Sequence, residues 1–122
     1  MILIVDDNPR VANALVRLLK SAGFEALACE NGADALIAIN DHVISAAVVD
    51  IHLPDISGLD LTARLRDRFG SRIPIVIVSG DTSMETLNSL PHVGATYFFG
   101  KPLSADYLLQ CLREWLEVGE RV

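Results

Sequence analysis

Four short stretches of this chain are aliphatic, β-branched or aromatic at almost every position: residues 2–5, 46–49, 75–78 and 95–99. A strand with one wet face alternates apolar and polar residues, whereas an unbroken apolar run suits a strand covered on both faces. A weaker fifth run, residues 25–29, follows Gly23. Helical patterns separate the runs. Val11, Leu15, Leu18, Leu19 and Ala22 fall on one face, with Pro9 near the first turn and Gly23 just past the end. Ala35, Leu36 and Ile39 give a shorter helix, and Leu61, Leu65 and Phe69 another, opened by Gly58 and closed by Gly70. Leu108, Leu109, Leu112, Trp115 and Leu116 predict a last helix capped by Ser104. The weakest helical segment, 83–90, is stopped by Pro91. Strand–helix alternation repeated in this way requires right-handed crossovers, hence a doubly wound α/β parallel sheet with helices on both faces.

Length and composition exclude several function classes. The 122 residues suit one domain, 1–122, and 51% hydrophobic residues with only 5 Pro and 8 Gly exclude a disordered or low-complexity chain. Ten basic against sixteen acidic side chains give a net charge of −6, without any basic run. Such a chain is a poor binder of nucleic acid or anionic membrane. Cys29 and Cys111 lack CxxC spacing and read as small buried hydrophobes in a reducing compartment. The apolar opening runs into Asp6 and Asp7 after five residues, too short for a signal peptide or a membrane helix. A soluble cytoplasmic domain is expected. No GxGxxG or GxxxxGK[ST] is present, so the nucleotide-binding versions of this architecture have no support.

In an open parallel α/β sheet, ligands sit beyond the carboxyl ends of the strands. The first run ends in Asp6-Asp7, the third in Asp50 and the fourth in Ser79, and the last leads to Lys101-Pro102. Taken singly, each has an ordinary explanation: Asp6-Asp7 as a helix cap, Asp50 and Ser79 as turn residues, Lys101 as a solvated charge. Together, three carboxylates, a hydroxyl and an ammonium converge on one patch. Clustered carboxylates repel unless a cation lies among them, and hard oxygen donors of this kind suit Mg²⁺. The scattered His42, His52 and His92 make zinc a minor alternative. A carboxylate is also a nucleophile toward phosphorus. Its approach to an anionic phosphoryl group costs about 4 kcal/mol at about 4 Å and an effective dielectric of about 20, which Mg²⁺ and Lys101 together offset.

The ordered stretches Ile4-Val5-Asp6-Asp7-Asn8, Val49-Asp50-Ile51-His52-Leu53-Pro54-Asp55 with Ser57-Gly58, Ile77-Val78-Ser79-Gly80, and Gly94-Ala95 leading to Lys101-Pro102 cover essentially the whole chain. In this it resembles a response-regulator receiver domain of two-component signalling, chemotaxis-receiver-like. The resemblance implies a flavodoxin-like five-stranded sheet of order 2-1-3-4-5 with five helices. It implies Asp50 as phosphoacceptor, with Asp7 and Asp50 holding Mg²⁺ directly, Asp6 mostly through water and His52 through its backbone carbonyl. Ser79 and Lys101 would hold phosphoryl oxygens. Ser79 and Phe98 would act as the switch that reshapes the face formed by the 83–90 segment, the last strand and the last helix. The implied partners are a histidine kinase or histidine phosphotransfer protein as donor and a downstream protein or covalently linked domain as output. A phosphorylation-dependent dimer is compatible with it; direct nucleic-acid or membrane binding is not implied.

Two positions read as modulators: His52, two residues after Asp50, of the acyl-phosphate lifetime, and Asp81, two after Ser79. Pro91 is a departure that should shorten the helix before Gly94. Phe98 lacks the hydroxyl that a tyrosine would offer a partner. The expected activity is phosphate acceptance with slow self-dephosphorylation, not metabolic turnover. One alternative is an aspartyl-nucleophile phosphohydrolase, which would need a second acid where His52 stands and an insertion over the substrate. Another is a receiver-like interaction module that takes no phosphate, disfavoured by the presence of all five polar residues.

Overall fold

The computed structural model describes residues 1–80 and 96–120, with side chains as far as Leu116. Its elements are β1 (Ile2–Val5), α1 (Pro9–Ser21), β2 (Ala26–Cys29), α2 (Gly32–Asp41), β3 (Ala46–Asp50), α3 (Gly58–Phe69), β4 (Ile75–Ser79), β5 (Thr96–Gly100) and α4 (Ala105–Glu120). All strands pair in parallel in the order β2-β1-β3-β4-β5, as expected. Four of the five expected helices are among the described residues; the 83–90 segment, Asp81 and Pro91 lie outside them.

The unbroken apolar runs are explained by the two cores. Leu3, Val5, Ala47, Val49, Ile75 and Ile77 point to one face, where Ala35, Ala38 and Ile39 of α2 and Leu61 and Leu65 of α3 cover them. Ile2, Ile4, Ala46, Val48, Val76 and Val78 point to the other, under Ala12, Leu15 and Leu19 of α1 and Leu108 and Leu112 of α4. Successive residues of a strand face opposite sides, so both parities must be apolar. On β5 the same alternation sends Phe98 toward the α2–α3 side. Tyr97 and Phe99 go to the other, where Tyr97 stacks on Trp115 at 4.0 Å and Phe99 on Tyr107 at 5.5 Å. Cys29 and Cys111 are buried free thiols.

The helix starts hold the site in place. Asn8, not Asp6 or Asp7, caps α1, its side chain accepting from Arg10 N at 3.0 Å with Pro9 in the first turn, so both acids are released from that duty. Gly23 then takes φ +95°, a left-handed conformation that favours glycine. Asn31 caps α2 and Ser57 caps α3. The start of α2 has a second acceptor: Gly32 N donates to Asp55 Oδ1 at 2.8 Å and Ala33 N to Asp55 Oδ2 at 2.9 Å.

These two amides hold the Asp55 carboxyl below the usual carboxylate range. A depressed folded-state pKa contributes stability that is present above the unfolded pKa and lost as pH falls through the folded one. The stability difference between wild type and Asp55→Asn should be full at about pH 7 and close toward about pH 3. Urea midpoints across that range check it, and a gap independent of pH would contradict it.

Arg66 closes the opposite end of the sheet. Its guanidinium donates to the carbonyls of Ile73 at 2.6 Å and Gly70 at 3.2 Å and to Thr96 Oγ1 at 2.8 Å, joining the end of α3 to the starts of β4 and β5. Burial lowers its pKa. No helix among the described residues is long and apolar enough to cross a membrane.

Candidate functional site

Three neighbouring strands deliver the site. Asp6 directly follows β1, Asp50 is the last residue of β3 and Ser79 the last of β4. The register pairs Val5 with Val49 and Asp50 with Val78, so these ends are level. Asp6, Asp7 and Asp50 each present a carboxylate oxygen within 4.8 Å of the other two. Asp6 and Asp50 are buried at 8% and 4% exposure, and Asp7 is exposed.

Asp50 is held at both oxygens. Its Oδ1 accepts from His52 N at 3.1 Å, and its Oδ2 accepts from Lys101 Nζ at 2.9 Å. Lys101 is itself aligned by the sheet, since its backbone N donates to Ser79 O at 2.9 Å. That bond continues the Ser79–Gly100 register one step beyond the strand end. The hydrogen bond to Asp50 raises the Lys101 pKa against the opposing effect of burial, and the charges of Asp50, Asp6 and Asp7 add to the rise.

Asp6 feels the reverse. Burial raises its pKa, the amide of Asn8 on its Oδ1 at 2.9 Å opposes the rise, and the charge of Asp50 adds to it. A carboxyl whose folded pKa lies above its unfolded value loses stability as pH climbs from the unfolded to the folded pKa. Asp6→Asn keeps the Oδ1 acceptor and removes that loss. In chelator, the variant should be more stable than wild type at neutral pH and converge with it in acid. Thermal melts across pH test this; a wild type that is the more stable at neutral pH would contradict it.

The carboxylates and Lys101 open onto a groove of about 1260 Å³ whose apolar wall includes Val11, Leu15 and Leu18 of α1 and Leu103 beyond β5. His52 is exposed and lines a smaller hollow made by the 51–59 turn. Ser79 is fully buried. Phe98 is half-buried against the α2–α3 core. The fold thus brings Asp6, Asp7, Asp50 and Lys101 into mutual reach and sets Ser79 on the adjoining strand end, while Asp81 lies outside the described residues.

Residues 2–113 match the family model described as the response regulator receiver domain. The chain belongs to this family. Receiver domains serve two-component signalling, and this one is similar to known members across its length. It is 34% identical over 116 residues to the sensory/regulatory protein RpfC of Xanthomonas campestris pv. campestris, a match covering 92% of this chain and 16% of RpfC. It is 30% identical over 119 residues to the response regulator protein TodT of Pseudomonas putida, covering 98% of this chain and 52% of TodT. The chain therefore spans at most about half the length of these curated relatives. Among solved structures, a CheY-like receiver domain protein from Methanospirillum hungatei JF-1 superposes with a TM-score of 0.86 at 26% identity, covering 98% of this chain and 95% of that one.

Sequence reasoning missed two features of this receiver domain. Gly58 is more than a helix opener: a Cβ there would lie 2.3 Å from the Asp50 carbonyl oxygen. Asp55 reaches across to α2. A glycine eight residues after the acidic strand end was the signal for the first; nothing local signals the second.

Proposed function

We propose that this receiver domain accepts a phosphoryl group on Asp50 from the phosphohistidine of a histidine kinase or a histidine phosphotransfer protein. The observation that carries the reading is Lys101 Nζ at 2.9 Å from Asp50 Oδ2 with the Asp6 and Asp7 carboxylates grouped around the same residue. In the transfer, an Asp50 carboxylate oxygen forms the new bond to phosphorus, the phosphorus–nitrogen bond breaks, and the nitrogen electron pair leaves with the donor imidazole. Lys101 supplies positive charge on one side of the phosphoryl group, and Ser79 donates to another of its oxygens.

The donor set fits Mg²⁺: three hard carboxylate oxygens within one ion's reach, one of them solvent-exposed so that water ligands are retained. Asp7 and Asp50 would hold the ion directly, Asp6 mostly through water and His52 through its carbonyl; bound there, it neutralises charge on the acidic side of Asp50. Phosphorylation adds charge and acceptor oxygens at Asp50, and Ser79 and Phe98 pass the change to the face around β5 and α4. His52 and Asp81 modulate the lifetime of the acyl phosphate. The chain acts as one phosphoaccepting domain, free-standing or joined to an output or kinase segment, and clears its own phosphate slowly.

Incubation with Mg²⁺ and a small phosphodonor should add about 80 Da, the mass of one phosphoryl group, visible by intact-mass spectrometry. The adduct should be absent in Asp50→Asn and in chelator. An adduct that survives Asp50→Asn, or no adduct in the wild type, overturns the reading.

A further inference from the structure

The turn between β3 and α3 leaves the site and returns to it within a few residues. It closes at its base through the antiparallel bridge between His52 and Ser57 and through Gly58 N donating to Ile51 O at 2.9 Å. Its first amide, His52 N, donates to Asp50 Oδ1. Its tip is fixed by a residue with no part in the cluster. Asp55 accepts from Gly32 N and Ala33 N, across 23 and 22 residues of sequence, and from Ile56 N at 3.0 Å. Asp55 faces the positive end of the α2 dipole, where a carboxylate is favoured. Gly32 lets the turn approach, because a Cβ there would lie 2.2 Å from Ile56 Cγ1 and 3.1 Å from Asp55 Oδ1. The turn is thus tied at one end to the phosphoacceptor and at the other to α2.

We propose that Asp55 is a positioning residue for the cation side of the site: by bolting the turn to the start of α2, it fixes the backbone at His52 relative to Asp7 and Asp50. It touches neither phosphate nor ion and acts through the turn, as groups that orient metal ligands do. The proposal rests on the Mg²⁺-dependent reading above. Asp55→Asn replaces one acceptor oxygen with an N–H group, which cannot serve both helix amides.

The test is Mg²⁺ titration of the unphosphorylated full chain, followed by backbone amide resonances, with hydrogen exchange measured on the same samples. In Asp55→Asn the half-saturating Mg²⁺ concentration should rise about tenfold, with faster exchange at Gly32, Ala33, Ile56 and Gly58 and ordinary protection in β1 and β4. Gly32→Ala, which keeps the Asp55 carboxylate but sets a Cβ 3.1 Å from its Oδ1, should shift Mg²⁺ binding in the same direction by a smaller factor. A wild type that binds Mg²⁺ and an Asp55→Asn that binds it within twofold overturns the positioning role alone. So does weakened binding with exchange rising uniformly over the chain. A wild type with no Mg²⁺ response overturns the parent reading and the positioning role with it.

Discussion

Gly58→Ala is expected to destabilise the domain by about 3 kcal/mol, the upper part of the range for inserting a methyl group into packed structure. The added Cβ would lie 2.3 Å from Asp50 O, 2.7 Å from Ile51 Cα and 3.0 Å from Asp50 C. All three are backbone atoms, so no side-chain rotation can make room. Alanine's better helix propensity, about 1 kcal/mol over glycine, is too small to reverse the sign. The strain would fall on the residue proposed to take the phosphate, so phosphoryl incorporation should slow as well. Gly32→Ala provides the contrast, because two of its three contacts are side-chain atoms of Ile56, which can turn aside. Urea unfolding of both variants decides the matter; a Gly58→Ala loss below that of Gly32→Ala would show that the β3–α3 junction yields easily.

Lys101→Ala should slow formation of the phospho-adduct about 100-fold, the scale of removing one charge-stabilising donor from a transfer site. Its effect on stability should be smaller. Stripping one partner from a fully buried ion pair costs about 3–5 kcal/mol. Lys101, however, is 41% exposed against 4% for Asp50, and solvent screening brings the expected loss to about 1 kcal/mol. Removing the ammonium also leaves Asp6, Asp7 and Asp50 without that cation, so Mg²⁺ should raise the melting temperature of the variant more than that of the wild type. Paired melts in chelator and in Mg²⁺, with rate measurements, separate the two effects. A rate within threefold of wild type would remove Lys101 from the phosphoryl site.

Most of the site was legible because a doubly wound sheet obliges strand ends to converge. Asp6, Asp50, Ser79 and Lys101 could be read simply as the residues that follow apolar runs. The pairing order followed from the resemblance, and the sheet has it. Boundaries were less legible: β5 runs Thr96–Gly100, beyond the 95–99 run, because pairing of Ser79 with Gly100 outlasts the apolar residues. Asn8 as the cap of α1 was masked by two acids beside it that are equally good caps by residue type. Asp55 and Arg66 were illegible for a different reason. Each acts on backbone groups of elements distant in sequence, and no periodicity or spacing records which amide or carbonyl a polar side chain will meet.

β3 is the central strand, paired on both edges and packed on both faces, and Asp50 is its final rung. Asp50 is therefore mounted where pairing on both edges and packing on both faces oppose local opening most strongly, while the turn beside it is held by a few bonds to the start of α2. A receiver built this way can have the geometry beside its acidic strand end retuned by substitutions in the turn while the strand itself stays undisturbed.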